Sequence, residues 1–229
     1  MQLHWFQHVP FEGLGFIQTW AENRGHEVSC TRFWAGEEVP DTSVDALILM
    51  GGPMSVHDDD DFPWITREKE FLKEHVHSGC PVFGICLGAQ LLAECMGAIV
   101  TKNPSPEIGW FPIEPITDHP ITQCFPSEPT VLHWHGETFT LPDGATHLWR
   151  SAHCEQQAFT VENRLIGFQF HVEMTEAGVA AIIEACPEDL EHPSPTIQEP
   201  SVIYAAAKEQ RKALETALSQ VLDLWVGEK

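Results

Sequence analysis

Residues 82–92, VFGICLGAQLL, change hydrophobic period at a single cysteine. Upstream, Pro81-Val82-Phe83 is short, apolar and partly β-branched, as in a buried strand. Downstream, Leu91, Leu92, Cys95 and Met96 fall on one face at helical spacing, and Gly97 supplies a stop. A strand that feeds a helix through one tight turn is the unit of a parallel sheet and points to an α/β fold.

The rest of the chain repeats that alternation. LHWFQH reads as a strand, Leu14 to Arg24 as a helix stopped at Gly25, HEVSCTRF and ALILM as further strands, and Trp64 to His77 as a charged helix with Ile65, Leu72 and Val76 on one side. The expected fold is α/β, with an open, mostly parallel sheet flanked by helices on both faces. From about Glu107 to Phe170 the pattern becomes short strands (VLHWH, HLWRS, AFTVE, LIGFQFH) between Pro and Gly turns, which predicts antiparallel additions near the sheet edge. Residues 187–201, PEDLEHPSPTIQEPS, read as a Pro-rich connector. In 202–229, Leu214, Ala217, Leu218, Val221 and Trp225 form an amphipathic stripe expected to pack on the same domain, 1–186. With 229 residues, 43% of them hydrophobic, one domain with additions can bury a core.

Charge and cysteine usage narrow the function classes. Against 34 acidic residues stand 12 basic ones, and a formal charge of −22 repels a polyphosphate backbone, so no nucleic-acid partner is expected. The apolar runs are shorter than a membrane span, and MQLHWFQHVPFEG lacks a charged leader before an apolar block; a cytoplasmic protein without membrane contact is expected. The seven cysteines, odd in number and with no C-x-x-C pair, read as reduced thiols.

The turn itself carries chemistry. Gly84-Ile85-Cys86-Leu87-Gly88 has the pattern of a nucleophile elbow with cysteine at its centre, a strained strand-to-helix bend that needs small neighbours and holds the sulfur over a helix N-terminus, where an anion is favoured. A base is required, and LIGFQFHVEMT offers one. His171 and Glu173 lie two apart at a strand end and face the same way if extended geometry persists, so that the carboxylate orients the imidazole. In LILMGGPMSV an apolar strand ends in Gly51-Gly52-Pro53, whose unobstructed N–H groups suit an oxyanion site.

Taken together, MGGPMSV, GICLGAQ, HWHGETF and GFQFHVE resemble the class I (triad) glutamine amidotransferase family, and in particular its stand-alone members similar to the amidotransferase domain of GMP synthase, over residues 45–175. The resemblance implies a flavodoxin-like α/β domain with Cys86 as nucleophile, His171 as acid/base and Glu173 as its orienting carboxylate. It implies oxyanion donors at the backbone of Gly52 and Leu87. A substrate pocket would be formed by Gly51, Met54, Gln90 and His135, together with Cys154, Gln157 and Phe159 of the CEQQAF segment. Two positions depart from the family pattern: His171-Val172-Glu173 replaces His-Pro-Glu, and Met54 stands where many members have glycine.

What the resemblance implies is hydrolysis of the glutamine side-chain amide through a cysteinyl thioester, with ammonia released to a synthase partner and no cofactor or metal. The chain has no phosphate-binding glycine motif for a fused ATP-using synthase. The same triad would serve a γ-glutamyl hydrolase or peptidase acting on another γ-glutamyl compound, and a non-catalytic interaction protein is the alternative of a different class. His133 and His135 alternate on a presumed strand, but no carboxylate or cysteine accompanies them at ligand spacing, so they read as structural or pocket-wall residues. Asp58 to Asp61 read as a solvated loop, and Trp110, Trp134 and Trp149 as core or rim.

Overall fold

The computed structural model describes residues 1–41 and 44–227. Positions 228–229 of the expected C-terminal segment lie outside the described residues. The elements in chain order are β1 (Gln2–Gln7), α1 (Phe16–Arg24), β2 (Glu27–Arg32), β3 (Ala46–Leu49), α2 (Trp64–Ser78), β4 (Val82–Ile85), α3 (Leu87–Cys95), β5 (Val100–Pro112), β6 (Glu114–Pro115), α4 (Pro120–Gln123), β7 (Thr130–Phe139), β8 (Thr146–Arg150), β9 (Ala158–Val161), β10 (Leu165–Phe168), α5 (Glu176–Ala185) and α6 (Pro200–Val226).

Eight strands form one sheet in the order β2-β1-β3-β4-β10-β9-β8-β6. The first five run parallel and the rest are antiparallel additions. The fold is therefore the expected mixed α/β sheet, with two differences. LIGFQFH lies inside the sheet: β10 pairs parallel with β4 and antiparallel with β9, so it joins the two halves. Its four residues are all buried, as in a strand covered on both faces. VLHWH, within β7, leaves the sheet altogether and pairs with β5 in a separate two-stranded ribbon, whose register shifts between Lys102 and Glu107.

Strand alternation divides the core. Ala46, Ile48, Phe83 and Ile85 point to the face covered by α1, α5 and α6, while Leu47, Leu49 and Val82 point to the face covered by α2 and α3. Ile65 and Leu72 of α2 are buried as expected, and Val76 is half-buried. Gly25 ends α1 in the left-handed conformation, φ 69°. On the first face Leu214, Ala217, Leu218, Val221 and Trp225 of α6 enter the core, and Asp223 accepts from Trp20 Nε1 at 2.9 Å, tying α6 to α1. The stretch 187–201 is held down: Ile108 N donates to Thr196 O at 2.8 Å and Gln198 N to Ile108 O at 2.9 Å, and α6 starts within it, at Pro200. Among the described residues no helix is long and apolar enough to cross a membrane.

Candidate active site

The carboxyl ends of β3, β4 and β10, three adjacent parallel strands, converge at one edge, and each releases one of the motifs. Cys86 follows β4 at φ 52°, ψ −110°, the left-handed side of the map, and caps the N-terminus of α3. Such a conformation costs about 1–3 kcal/mol and survives because its surroundings hold it. Cys86 N donates to Phe168 O at 2.8 Å and Gly88 N to Met50 O at 3.1 Å. Both glycines of the motif are required: a Cβ on Gly84 would collide with the Gly88 carbonyl, and one on Gly88 with the Leu49 carbonyl. The buried thiol contacts the Trp134 carbonyl at 3.5 Å.

His171 stands three residues past β10, where its N–H donates to Leu132 O at 2.7 Å and so clamps the strand end to β7. Its Nδ1 lies 2.7 Å from Glu173 Oε1, and the Cys86 side chain lies close enough to act on the charge of the ring. Burial opposes charge on the ring, but the Glu173 carboxylate and the Cys86 side chain outweigh it and hold the His171 pKa well above the ordinary imidazole value. The pair lies beyond the regular strand, and the carboxylate is turned by another bond: Val172 N–H donates to Glu173 Oε2 at 3.0 Å. A proline at 172 would have no N–H to give. The Glu173 carbonyl in turn accepts from Phe16 N at 2.8 Å, against Gly15, where any Cβ would strike it.

The Gly51-Gly52 turn follows β3 and is anchored by a pair that the sequence did not reveal. His8 Nδ1 donates to Gly51 O at 3.0 Å, while its Nε2 sits 3.1 Å from Glu68 on α2. Both side chains are fully buried, and the ring stacks against Phe33 and Trp64. Burial acts against the charged ring, yet Glu68 raises the His8 pKa above its ordinary value. The Gly51 carbonyl and the Gly52 N–H share one trans peptide, so holding the carbonyl at His8 turns the N–H the opposite way. Among the described residues, neither Gly52 nor Leu87 donates its N–H to another group.

A cavity of about 430 Å³ opens here, lined by Cys86, His171, Gly52, Met54, Gln90 and His135 among others. Gln90 Nε2 donates to Gln169 Oε1 at 3.1 Å, and Met54 packs against Gly52. Gly51 lies behind this wall: a side chain on it would run into Glu12 and the His171 ring. The other expected pocket residues are elsewhere. Phe159 is fully buried against Gly167 and Phe139, Cys154 hydrogen-bonds Thr138, and Gln157 donates to Glu107 at 2.7 Å. Alternation on β9 and its approach turns them into the core between the ribbon and the sheet.

The sequence also left Glu12 unnoticed, since a lone acid in HVPFEGLG carries no pattern. Its carboxyl lines the cavity, is buried, and has one oxygen without a hydrogen bond. Burial is the main cause that pushes its pKa up to about 6, with the charges of His171, Glu173 and His8 acting in both directions. Asp58 also reaches the cavity wall, where it accepts from Ser55 N at 2.7 Å and closes the turn after Pro53.

The family model described as glutamine amidotransferase class-I matches residues 17–182. The glutamine amidotransferase-like protein YfeJ of Salmonella typhimurium is 36% identical over 198 residues, 83% of each chain. The glutamine-hydrolysing GMP synthase of Thermomicrobium roseum is 36% identical over 141 residues, which are 60% of this chain and 25% of that protein. Among solved structures, a glutamine amidotransferase from Thermotoga maritima superposes with a TM-score of 0.90 at 29% identity, covering 99% of this chain and 98% of that one. Another from Methylobacillus flagellatus gives 0.92 at 30% identity, covering 99% and 94%. The chain belongs to the class-I glutamine amidotransferase family.

Proposed function

We propose that this chain hydrolyses the side-chain amide of glutamine through a Cys86 thioester, with His171 as acid/base and Glu173 as its orienting group. The observation that carries the reading is the closeness of the elbow thiol to an imidazole whose far nitrogen is held at 2.7 Å by a buried carboxylate. Proton transfer from sulfur to His171 yields the attacking thiolate. The sulfur adds to the amide carbonyl, and the oxyanion is met by the N–H groups of Gly52 and Leu87. His171 returns its proton to the nitrogen, the C–N bond breaks and ammonia leaves. A water then gives its proton to the neutral ring and attacks the thioester, releasing glutamate and restoring the thiol.

The cavity wall bears on the substrate. Its lining includes the carboxyl groups of Glu12, Asp58, Glu137, Glu188 and Asp189 and, among the described residues, no Lys or Arg. An amino-acid ammonium suits such a wall, whereas a carboxylate would depend on backbone N–H groups. Met54, against Gly52, sets the shape of the pocket, and the second reading is a γ-glutamyl conjugate as substrate of the same triad. We assign ammonia, when glutamine is cleaved, to a separate synthase partner, consistent with GMP synthases among the relatives.

Turnover of glutamine and of γ-glutamyl dipeptides, measured side by side with mass spectrometry of the protein after a glutamine-analogue chloroketone, tests the proposal. Glutamate release and an adduct on Cys86 support it, and faster cleavage of the dipeptides selects the second reading. No glutamate from any γ-glutamyl compound, together with Cys86 labelling no faster than the other six cysteines, would leave a non-catalytic interaction protein.

A further inference from the structure

The carboxylate missing from the spacing around His133 and His135 is supplied across the ribbon. Glu107 of β5 pairs with His135 of β7 in register, and its side chain points between the two imidazoles. Glu107 Oε2 lies 3.3 Å from His135 Nε2 and 3.9 Å from His133 Nδ1, and one ligand atom from each residue falls within 4.8 Å of the others. Two ligands of one tetrahedral zinc ion, each about 2.0–2.2 Å from it, stand about 3.3–3.6 Å apart. The two carboxylate–imidazole separations are within a few tenths of an ångström of that spacing.

Polar accounting inside this cluster leaves three buried atoms without a hydrogen-bond partner, Glu107 Oε1 and both nitrogens of His133. His135 Nδ1 faces the Glu137 carbonyl at 2.9 Å, a partner that can only accept, so the ring's N–H belongs there. That leaves the Nε2 lone pair between the Glu107 carboxylate at 3.3 Å and one long contact from the Gln157 amide at 3.4 Å. Neither nitrogen of His133 completes a hydrogen bond by full geometry, although the ring is fully buried and the Phe111 backbone is among its polar neighbours. Glu107 Oε1 is equally without a partner. A cation between the three side chains answers the facing lone pairs and employs the idle ring. The second layer is present as well: Ser151 Oγ and Gln157 Nε2 hold Glu107 Oε2 at 2.9 and 2.7 Å, and a backbone carbonyl holds the far nitrogen of His135, as outer partners do around metal ligands.

The geometry points to a zinc-class divalent-metal site formed by Glu107, His133 and His135, with a fourth position for water. His135 also lines the cavity, which gives an ion a way in, and Trp134 between the two histidines presents its carbonyl to the Cys86 thiol. The metal would stiffen the wall beside the nucleophile. The inference does not depend on what Cys86 does.

Protein stripped with a chelator and titrated with cobalt(II) and zinc tests it. One tightly bound equivalent is expected, with a visible cobalt spectrum of nitrogen and oxygen ligands and no thiolate-to-cobalt charge-transfer band; such a band would assign the metal to the free cysteines and overturn the proposal. His133→Leu and Glu107→Gln should each weaken binding by at least about tenfold and abolish the metal-dependent rise in Tm. Failure of the unmodified protein to take up either ion would overturn the proposal without recourse to variants, and so would uptake unchanged in both variants.

Discussion

At Cys86 a non-glycine residue sits at φ 52° because both neighbours that would clash with a side chain are glycines and because Phe168 and Met50 carbonyls tie down the turn. Cys86→Ala keeps that backbone and removes the sulfur, so turnover should fall by at least about a thousandfold while thermal unfolding is unchanged. Glu173→Gln should lose less, since a neutral amide can still orient His171; equal losses would mean that the charge itself is the larger part of the effect. Glu12 acts on stability with the opposite sign to an ion-paired acid. Its pKa rises from 4.5 to about 6 on folding, so between those values the native state holds a proton that the unfolded chain has released. Stability therefore drops as pH rises through that window, by about 2 kcal/mol at completion. Glu12→Gln should raise Tm above pH 6 and leave it unaltered near pH 4; a pH-independent Tm difference would contradict the assignment.

Strands β3, β4 and β10 do at the level of elements what no local pattern states: they place Gly52, Cys86 and His171 at neighbouring carboxyl ends. The buried His8–Glu68 pair adds α2 to this arrangement by holding the Gly51 carbonyl. Glu68→Gln should lower kcat by about tenfold or more with little change in KM, because the aimed N–H matters only once charge develops on the substrate oxygen. The raised His8 pKa means that the pair's contribution to stability is complete below the ordinary imidazole value and is lost as pH rises through the folded value; the variant should thus converge on the parent in Tm at high pH. Gly88→Ala tests the close approach of α3 to β3. It should cost about 3 kcal/mol or more, because the added methyl meets the Leu49 carbonyl rather than a movable side chain.

Over the whole molecule, two apolar layers enclose the sheet, and α6 closes one of them with Leu218, Val221 and Trp225. Trp225→Ala, measured by denaturant unfolding, should destabilise by about 3–5 kcal/mol, since the ring is buried against Phe83 and its Nε1 donates to Arg164 O at 3.1 Å. Element type was legible from the chain alone wherever period and punctuation agreed: β1, α1, β3, α2, the elbow and the stripe of α6 all rest on local spacing, capping glycines and side-chain shape. The catalytic candidates were legible for the same reason, as each lies in a short stretch whose residue types are interpretable in isolation. Strand neighbours were not. LIGFQFH became the bridge between parallel and antiparallel halves, and VLHWH left the sheet for a ribbon with β5, because pairing is settled by contacts between segments far apart in sequence. The same holds for Glu12, for Glu68 beneath His8, for Glu107 between two histidines, and for Phe159, which packs on Gly167 instead of lining the cavity. Spacing along one segment determines what that segment can be; which side chains share a buried space is decided by the burial of whole elements against one another.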